Sequence, residues 1–304
     1  MTSSPAGHPV SAESAYAAPY VSGDPYADYR GSDADFTRLT DLADRRLGAG
    51  VVAADDEFFA ERENLLARTP AVFDVHDYGH KGKVMDGWET RRRRGSDAHH
   101  PFPAGDDHDW ALIRLGAPGV IRGIIVDTAH FRGNFPQQVS VEAAAFDGTP
   151  SVAERLENDG AWEVILPRTP VRGHAANALT VDSDRRWTHL RINQHPDGGI
   201  ARLRVHGEVV PDPAWLDLLG TFDVACVAND GSVTDASDGF YSSPGNTIMP
   251  GLSQSRTTAG RPGAGATRAT TGSSTGSPPR ARSARWKSTR PISRATPQAG
   301  CPCR

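Results

Sequence analysis

HLRINQHPDGGIARLRVHGEV, residues His189–Val209, alternates apolar and polar side chains on both sides of a Pro-Asp-Gly-Gly run. Alternation at period two marks strands with one covered face, and Pro and Gly between them set the dihedrals of a tight turn. The segment reads as two strands joined in a hairpin, with Asn193, His195 and Asp197 as structural residues of its turn. Similar runs recur outward from it, at Trp110–Leu115, Val120–Asp127, Val139–Ala144, Trp162–Leu166, Leu179–Val181, Trp187–Asn193 and Ala201–Val209. Gly, Pro and Asp separate them. Many short strands with turn signals between them predict an all-β chain, a β-sandwich of jelly-roll type. Residues 36–48 mix Leu with charges at near-helical spacing, and Pro211 and Pro213 close the domain.

Composition narrows the class. Hydrophobic residues are 38% of 304, and there are 31 Gly and 23 Pro, which excludes a coiled coil and a collagen. No apolar stretch reaches the roughly 20 residues of a spanning helix. Three cysteines, two of them at Cys301 and Cys303, make no disulfide framework, so a cytoplasmic location is expected. The net charge of −4 hides a division. Residues 252–304 hold nine Arg, one Lys and no acid, so the first 251 carry 23 basic residues against all 37 acidic ones. A body at net −14 repels phosphate backbones.

Organisation follows texture. Residues 1–36 lack the basic start and apolar run of a signal peptide and are expected to be a disordered leader. Residues 37–211 form the first domain. A repeat then begins in 212–251: Asp56, Phe58, Phe59, Asn64 and Leu65 have counterparts at Asp238, Phe240, Tyr241, Asn246 and Thr247, all offset by 182 residues. After Gly251 the pattern collapses, and 45 of the last 53 residues are Arg, Ser, Thr, Gly, Ala or Pro. Such a composition cannot bury a core. GC-rich DNA translated in the wrong frame has the same look. Residues Thr257–Ala266, back-translated and read two bases on, permit DGWETRRRR, the string at Asp86–Arg94. Residues 284–303 likewise permit AVEVDTSHFKGNAPGWVSL, against GIIVDTAHFRGNFPQQVSV at Gly123–Val141. Because two motifs return in order, 252–304 are expected to be an out-of-frame translation of a second domain, with the second repeat truncated.

Three stretches carry chemistry. DEFFAERENLL (Asp56–Leu66) sets acids beside aromatics. GKVMDGWETRRRR (Gly82–Arg94) brings Asp86 and Glu89 before four arginines. Arginine binds small carboxylates through its fork, and on an extended segment Arg91 and Arg93 share a face. VDTAHFRGNFP (Val126–Pro136) follows an apolar strand. There Asp127 and His130 are a candidate base and acid, Arg132 can hold an anion, and Asn134 offers both donor and acceptor. His76 and His80, or His99 and His100, show no zinc-like spacing. No metal or other cofactor is predicted.

Together DEFFAERENLL, GKVMDGWETRRRR, DWALIRLG, VDTAHFRGNFP and HPDGGIARLRVHGEV resemble the allantoicase family over residues 37–251. The resemblance implies tandem galactose-binding-like β-sandwich repeats and a cytoplasmic homo-oligomer when intact. It implies hydrolysis of allantoate to ureidoglycolate and urea in purine breakdown, an activity that the truncated form loses if the site needs the second repeat. On this reading Asp127, His130 and Glu89 are catalytic, while Asp86, Arg91, Arg93, Arg132 and Asn134 bind substrate. A non-catalytic sugar- or small-ligand-binding sandwich is the alternative, but Trp88 among acids and arginines suits a small charged ligand better. A nucleic-acid binder would have to rely on the basic tail.

Sequencing the gene from the codon for Ile248 past that for Arg304 tests the shifted frame. One missing or extra base should restore a second DGWETRRRR domain; an intact frame and a mass matching 304 residues would refute it.

Overall fold

The computed structural model describes residues 16–20, 34–148, 150–233 and 244–251. Most of the expected leader and all of 252–304 lie outside the described residues. The described residues divide after Asp212 into two units. The strands of the first unit are β1 (Tyr16–Pro19), β2 (Thr40–Asp41), β3 (Gly50–Ala54), β4 (Tyr78–Gly79), β5 (Gly82–Lys83), β6 (Trp88–Glu89), β7 (Asp109–Asp127), β8 (Gln138–Ala144), β9 (Glu163–Pro170), β10 (Ala175–Thr180), β11 (Arg186–His195), β12 (Gly199–Ile200) and β13 (Arg202–Val209). One short helix, α1 (Val152–Glu157), starts at a Ser151–Glu154 capping box. Among the described residues no helix is long and apolar enough to cross a membrane.

The fold is the expected jelly-roll β-sandwich, and β7 is its spine. Trp110–Leu115 and Val120–Asp127 were expected as two strands, because Gly116, Pro118 and Gly119 separate them. They are one strand of 19 residues. The interruption is where β7 passes from one layer to the other. Its first half pairs antiparallel with β3 on one edge and β11 on the other; its second half pairs with β10 and β13. The missing Pro118 N–H costs no ladder bond at this crossing, and the Pro118 carbonyl still accepts from Val210 at 2.8 Å. One layer is therefore β3-β7-β11-β8-β9, and the other is β1-β10-β7-β13-β2. Tyr16–Pro19, inside the expected leader, supplies the edge strand next to β10.

The hairpin expected at His189–Val209 is absent. β11 and β13 do not pair with each other; both run antiparallel to β7, one in each layer. The Pro-Asp-Gly-Gly run is a crossover between layers. Midway, β12 pairs with β6, Gly199 opposite Glu89. Turn residues report where a chain bends, and not which neighbour each flanking strand will find.

The core follows the alternation. Leu112, Ile113, Ile121, Ile124, Val126, Val139, Val141, Leu190, Ile192, Leu203 and Val205 are fully buried or nearly so. Ile125, Ala176 and Ala178 pack under Phe36 on an outer face. The outer side of β13 is covered differently. Arg202 is 1% exposed there and donates to the carbonyls of Asn64, Thr69, Pro70 and Asp86, and to the Asp86 carboxylate at 2.8 Å. Arg204 donates to the carbonyls of Leu65 and Ala67.

In the second unit, α2 (Pro213–Leu219) precedes two short 3-10 turns at Val227–Asn229 and Pro244–Ile248. Both lie 182 residues beyond 3-10 turns of the first unit, at Arg45–Leu47 and Arg62–Leu66. The left-handed caps Gly48 and Asp230 keep the same offset. The sequence repeat thus recurs in local backbone structure. The counterpart at 238–241 lies outside the described residues.

Arg202→Met should lower unfolding stability by about 3 kcal/mol, because it strips donors from buried carbonyls and leaves Asp86 unpaired. Urea denaturation of both proteins measures it; a change below about 1 kcal/mol would show that the guanidinium is not a structural tie.

Candidate functional site

The three chemistry-bearing stretches meet at one end of the sandwich. β6 presents Glu89 and is held on both edges. Its partner β12 lies on one side, and on the other Glu89 and Ala60 form a two-way bridge, each amide 3.2 Å from the other's carbonyl. Trp88 is fully buried and donates its indole N–H to the Asp56 carbonyl at 2.8 Å. Asn64 reaches the Gly87 carbonyl at 3.0 Å. The DEFFAERENLL stretch is thus a brace for Glu89.

The second wall is the turn that leaves β7. Asp127 ends the strand, and its buried carboxylate accepts the Ala129 amide at 2.8 Å. Phe131 N–H bonds the Thr128 carbonyl at 3.0 Å and closes a tight turn with His130 at its third position, φ +67°. That position favours glycine, and a histidine there stores about 1–2 kcal/mol of backbone strain. Phe131 anchors the turn by filling the space against Gly87 and Gly199, where a Cβ would strike its ring. The His130 ring stacks on Phe73, centroids 5.5 Å apart, and its Nε2 meets the Ala71 carbonyl at 3.1 Å. A carbonyl only accepts, so Nε2 carries the proton and Nδ1 keeps the lone pair.

Between these walls lies a cavity of about 310 Å³. Glu89, His130, Arg132, Asn134 and Lys83 give it polar groups, Phe59 and Met85 an apolar side, and Gly133 a stretch of bare backbone. Asn134 Nδ2 donates to Glu89 Oε1 at 2.6 Å. Burial pushes the Glu89 carboxyl above the ordinary glutamate range, against the opposing pull of the Asn134 amide and Arg92. The cavity therefore combines a carboxyl whose pKa is raised by burial, an imidazole with a free lone pair, and cationic donors. That set can protonate a leaving nitrogen, activate a water and hold an anion.

Four of the eight site residues expected from sequence line this cavity: Glu89, His130, Arg132 and Asn134. The other four do not. Asp127 caps the turn. Asp86 binds Arg202 and the Val72 amide. Arg91 pairs with Asp56 at 3.3 Å and lies over the Phe58 ring. Arg93 is held by Asp109 at 2.6 Å and Asp55 at 3.2 Å. Arg92 joins Asp197 at 2.7 Å. Three arginines of the run, Arg91, Arg92 and Arg93, are matched to acids from other parts of the chain, so they brace the site. Lys83, Met85 and Phe59 were missed as site residues. Lys83 and Met85 alternate along the chain and on an extended segment would share a face, which could have found them; Phe59 lies in the DEFFAERENLL stretch, whose acids beside aromatics marked the segment without marking this ring. Among the described residues no group of three or more His, Cys, Asp or Glu could hold a metal.

The allantoicase repeat model matches residues 40–210. The chain is 67% identical to a probable allantoicase of Streptomyces coelicolor over 78% of its own length and 63% of that protein. It is 64% identical to one of Streptomyces avermitilis over the same shares. Among solved structures it resembles allantoicase from Saccharomyces cerevisiae, 31% identical with a TM-score of 0.59, over 73% of this chain and 62% of that one. The chain spans less than two thirds of the length of these relatives.

The raised Glu89 pKa predicts a pH signature. The folded state holds this proton more tightly than the unfolded chain does. That stabilisation is complete below the unfolded value, near 4.5, and is lost as pH rises through the folded value. Glu89→Gln has nothing to ionise. Its urea midpoint should therefore gain on the wild-type midpoint between about pH 4 and pH 8; a pH-independent gap would refute the shift.

Proposed function

The chain belongs to the allantoicase family, and from that premise we propose that its cavity binds allantoate and hydrolyses it to ureidoglycolate and urea, a step of purine breakdown. The supporting observation is the convergence of Glu89, His130, Arg132 and Asn134 on one cavity. All its walls come from residues 59–134, inside the segment that the family model matches.

Allantoate carries one carboxylate and two ureido groups on a central carbon. Hydrolysis breaks one carbon–nitrogen bond there and adds a water oxygen. The leaving nitrogen needs a proton, which Glu89 with its raised pKa is suited to give. The water must lose a proton, which His130 Nδ1 is placed to accept. Asn134 holds the Glu89 carboxyl in position, and Arg132 supplies charge for the substrate carboxylate. Asp127, buried and bound to its own turn, takes no proton-transfer step in this scheme. The pairing of Arg91, Arg92 and Arg93 with acids supports a small anionic ligand over a nucleic acid.

The full chain incubated with allantoate should release urea. Glu89→Gln should lower kcat by about 100-fold or more, the usual scale for losing a general acid, while His130→Gln does the same for the base. Absence of urea release, or saturable glycan binding without turnover, would overturn the reading.

A further inference from the structure

His174 belongs to none of the motifs and does not line the cavity, yet its ring touches two of the groups that build it. The backbone N–H of His130 donates to its Nδ1 at 2.9 Å. Arg132 Nη2 lies 3.0 Å from its Nε2. The His174 amide bonds the carbonyls of Thr128 and Phe131 at 3.1 and 3.0 Å, and the Tyr20 ring meets the imidazole edge-on at 5.4 Å. The imidazole is fixed against the strained turn.

Counting protons decides what it offers. A neutral imidazole has one N–H and one lone pair. A backbone N–H can only donate, so Nδ1 holds the lone pair and Nε2 the proton. An imidazolium would set Nδ1–H against the His130 amide and a second positive charge against Arg132. Burial and Arg132 both push His174 below the usual histidine range, which keeps the ring neutral near pH 7. A guanidinium carries donors only. Two donors therefore stand 3.0 Å apart, and neither can accept from the other. Arg132 also differs from Arg91, Arg92 and Arg93, since among the described residues no carboxylate pairs with it. The groups facing the His174 ring are Arg132, His130 and Tyr20, none of them an acid. Lys83, the other cation of the cavity, already donates to the carbonyls of Asp74 and Asp77.

We propose that His174 Nε2–H and Arg132 form a two-donor clamp for the substrate carboxylate just beyond the cavity lining, where Arg132 reaches His174, one anionic oxygen accepting from both. The identity of the anion rests on the allantoate reading; the donor pair is a carboxylate site whether or not hydrolysis follows. A shared oxygen satisfies both donors at once, and charge-assisted bonds of this kind are the strong ones.

The test uses N-carbamoylglycine, which has the carboxylate and one ureido group, and its uncharged primary amide. Imidazole ¹⁵N spectra of the full chain should show His174 as the Nε2–H tautomer. Its Nε2 signal should move saturably with N-carbamoylglycine and not with the amide. Arg132→Gln and His174→Asn should each weaken that binding by about tenfold or more. Asn at 174 tolerates the left-handed backbone, φ +50°, and its Oδ1 can replace Nδ1 as acceptor. An Nδ1–H tautomer in the wild type, or binding by His174→Asn within about twofold of wild type, overturns the clamp. Carboxylate binding of this kind without urea release would sink the hydrolysis reading and leave the clamp standing. Urea release with an unchanged KM in His174→Asn would do the reverse.

Discussion

The guanidinium of Arg202 is the constraint on which the site end of the molecule depends. It is sealed from water on the outer face of β13 and must find acceptors, because an unsatisfied buried charge is far too costly to keep. It finds them in the carbonyls of Asn64, Thr69, Pro70 and Asp86 and in the Asp86 carboxylate. The segment between residues 64 and 86 is thereby wrapped on one path across the strand. Met85 of the cavity wall and Ala71, which holds His130, ride on that path. Glu89 follows three residues after Asp86, where the Ala60 bridge takes over.

The sandwich supplies the other fixed point. β7 crosses both layers and delivers Asp127 to the end where β13 begins, Arg202 opposite Asp127 in register. The turn after β7 is then pinned from outside its own sequence. Phe131 sits in space that only glycine at 87 and 199 leaves free, and His174 holds the His130 amide. Backbone strain at His130 persists because these neighbours over-determine it. Rigid support on both walls suits a site that must place a carboxyl and an imidazole around one small molecule.

Charge in the site follows a simple division. Acids at 55, 56, 109 and 197 take up Arg91, Arg92 and Arg93, so those arginines hold loops together. Arg132 stands without an acid and faces the cavity. Among the residues that line the cavity, the Arg132 guanidinium is thus kept for an incoming anion, with a neutral imidazole beside it as a second donor.

The amino-acid sequence alone determined the class of fold, because alternation at period two and the spacing of Gly and Pro are local properties of the chain. It determined the family, since five long motifs in order leave little freedom. It also placed Glu89, His130, Arg132 and Asn134 among the candidates, since polar groups of several kinds after an apolar strand stand out by type. Which of these arginines is left for a ligand could not be read there, because the partners of Arg91, Arg92 and Arg93 lie 16 to 105 residues away, and pairing depends on three-dimensional distance. Asp127 and Glu89 are both acids next to strands; only packing buries one in its own turn and opens the other to a cavity. The supposed hairpin became a crossover for the same reason. A turn sequence sets local dihedrals, while the choice of neighbour belongs to β7, whose two halves bind different strands. His174 carries no motif at all, and its meaning comes wholly from the two donors that tertiary structure brings to its ring.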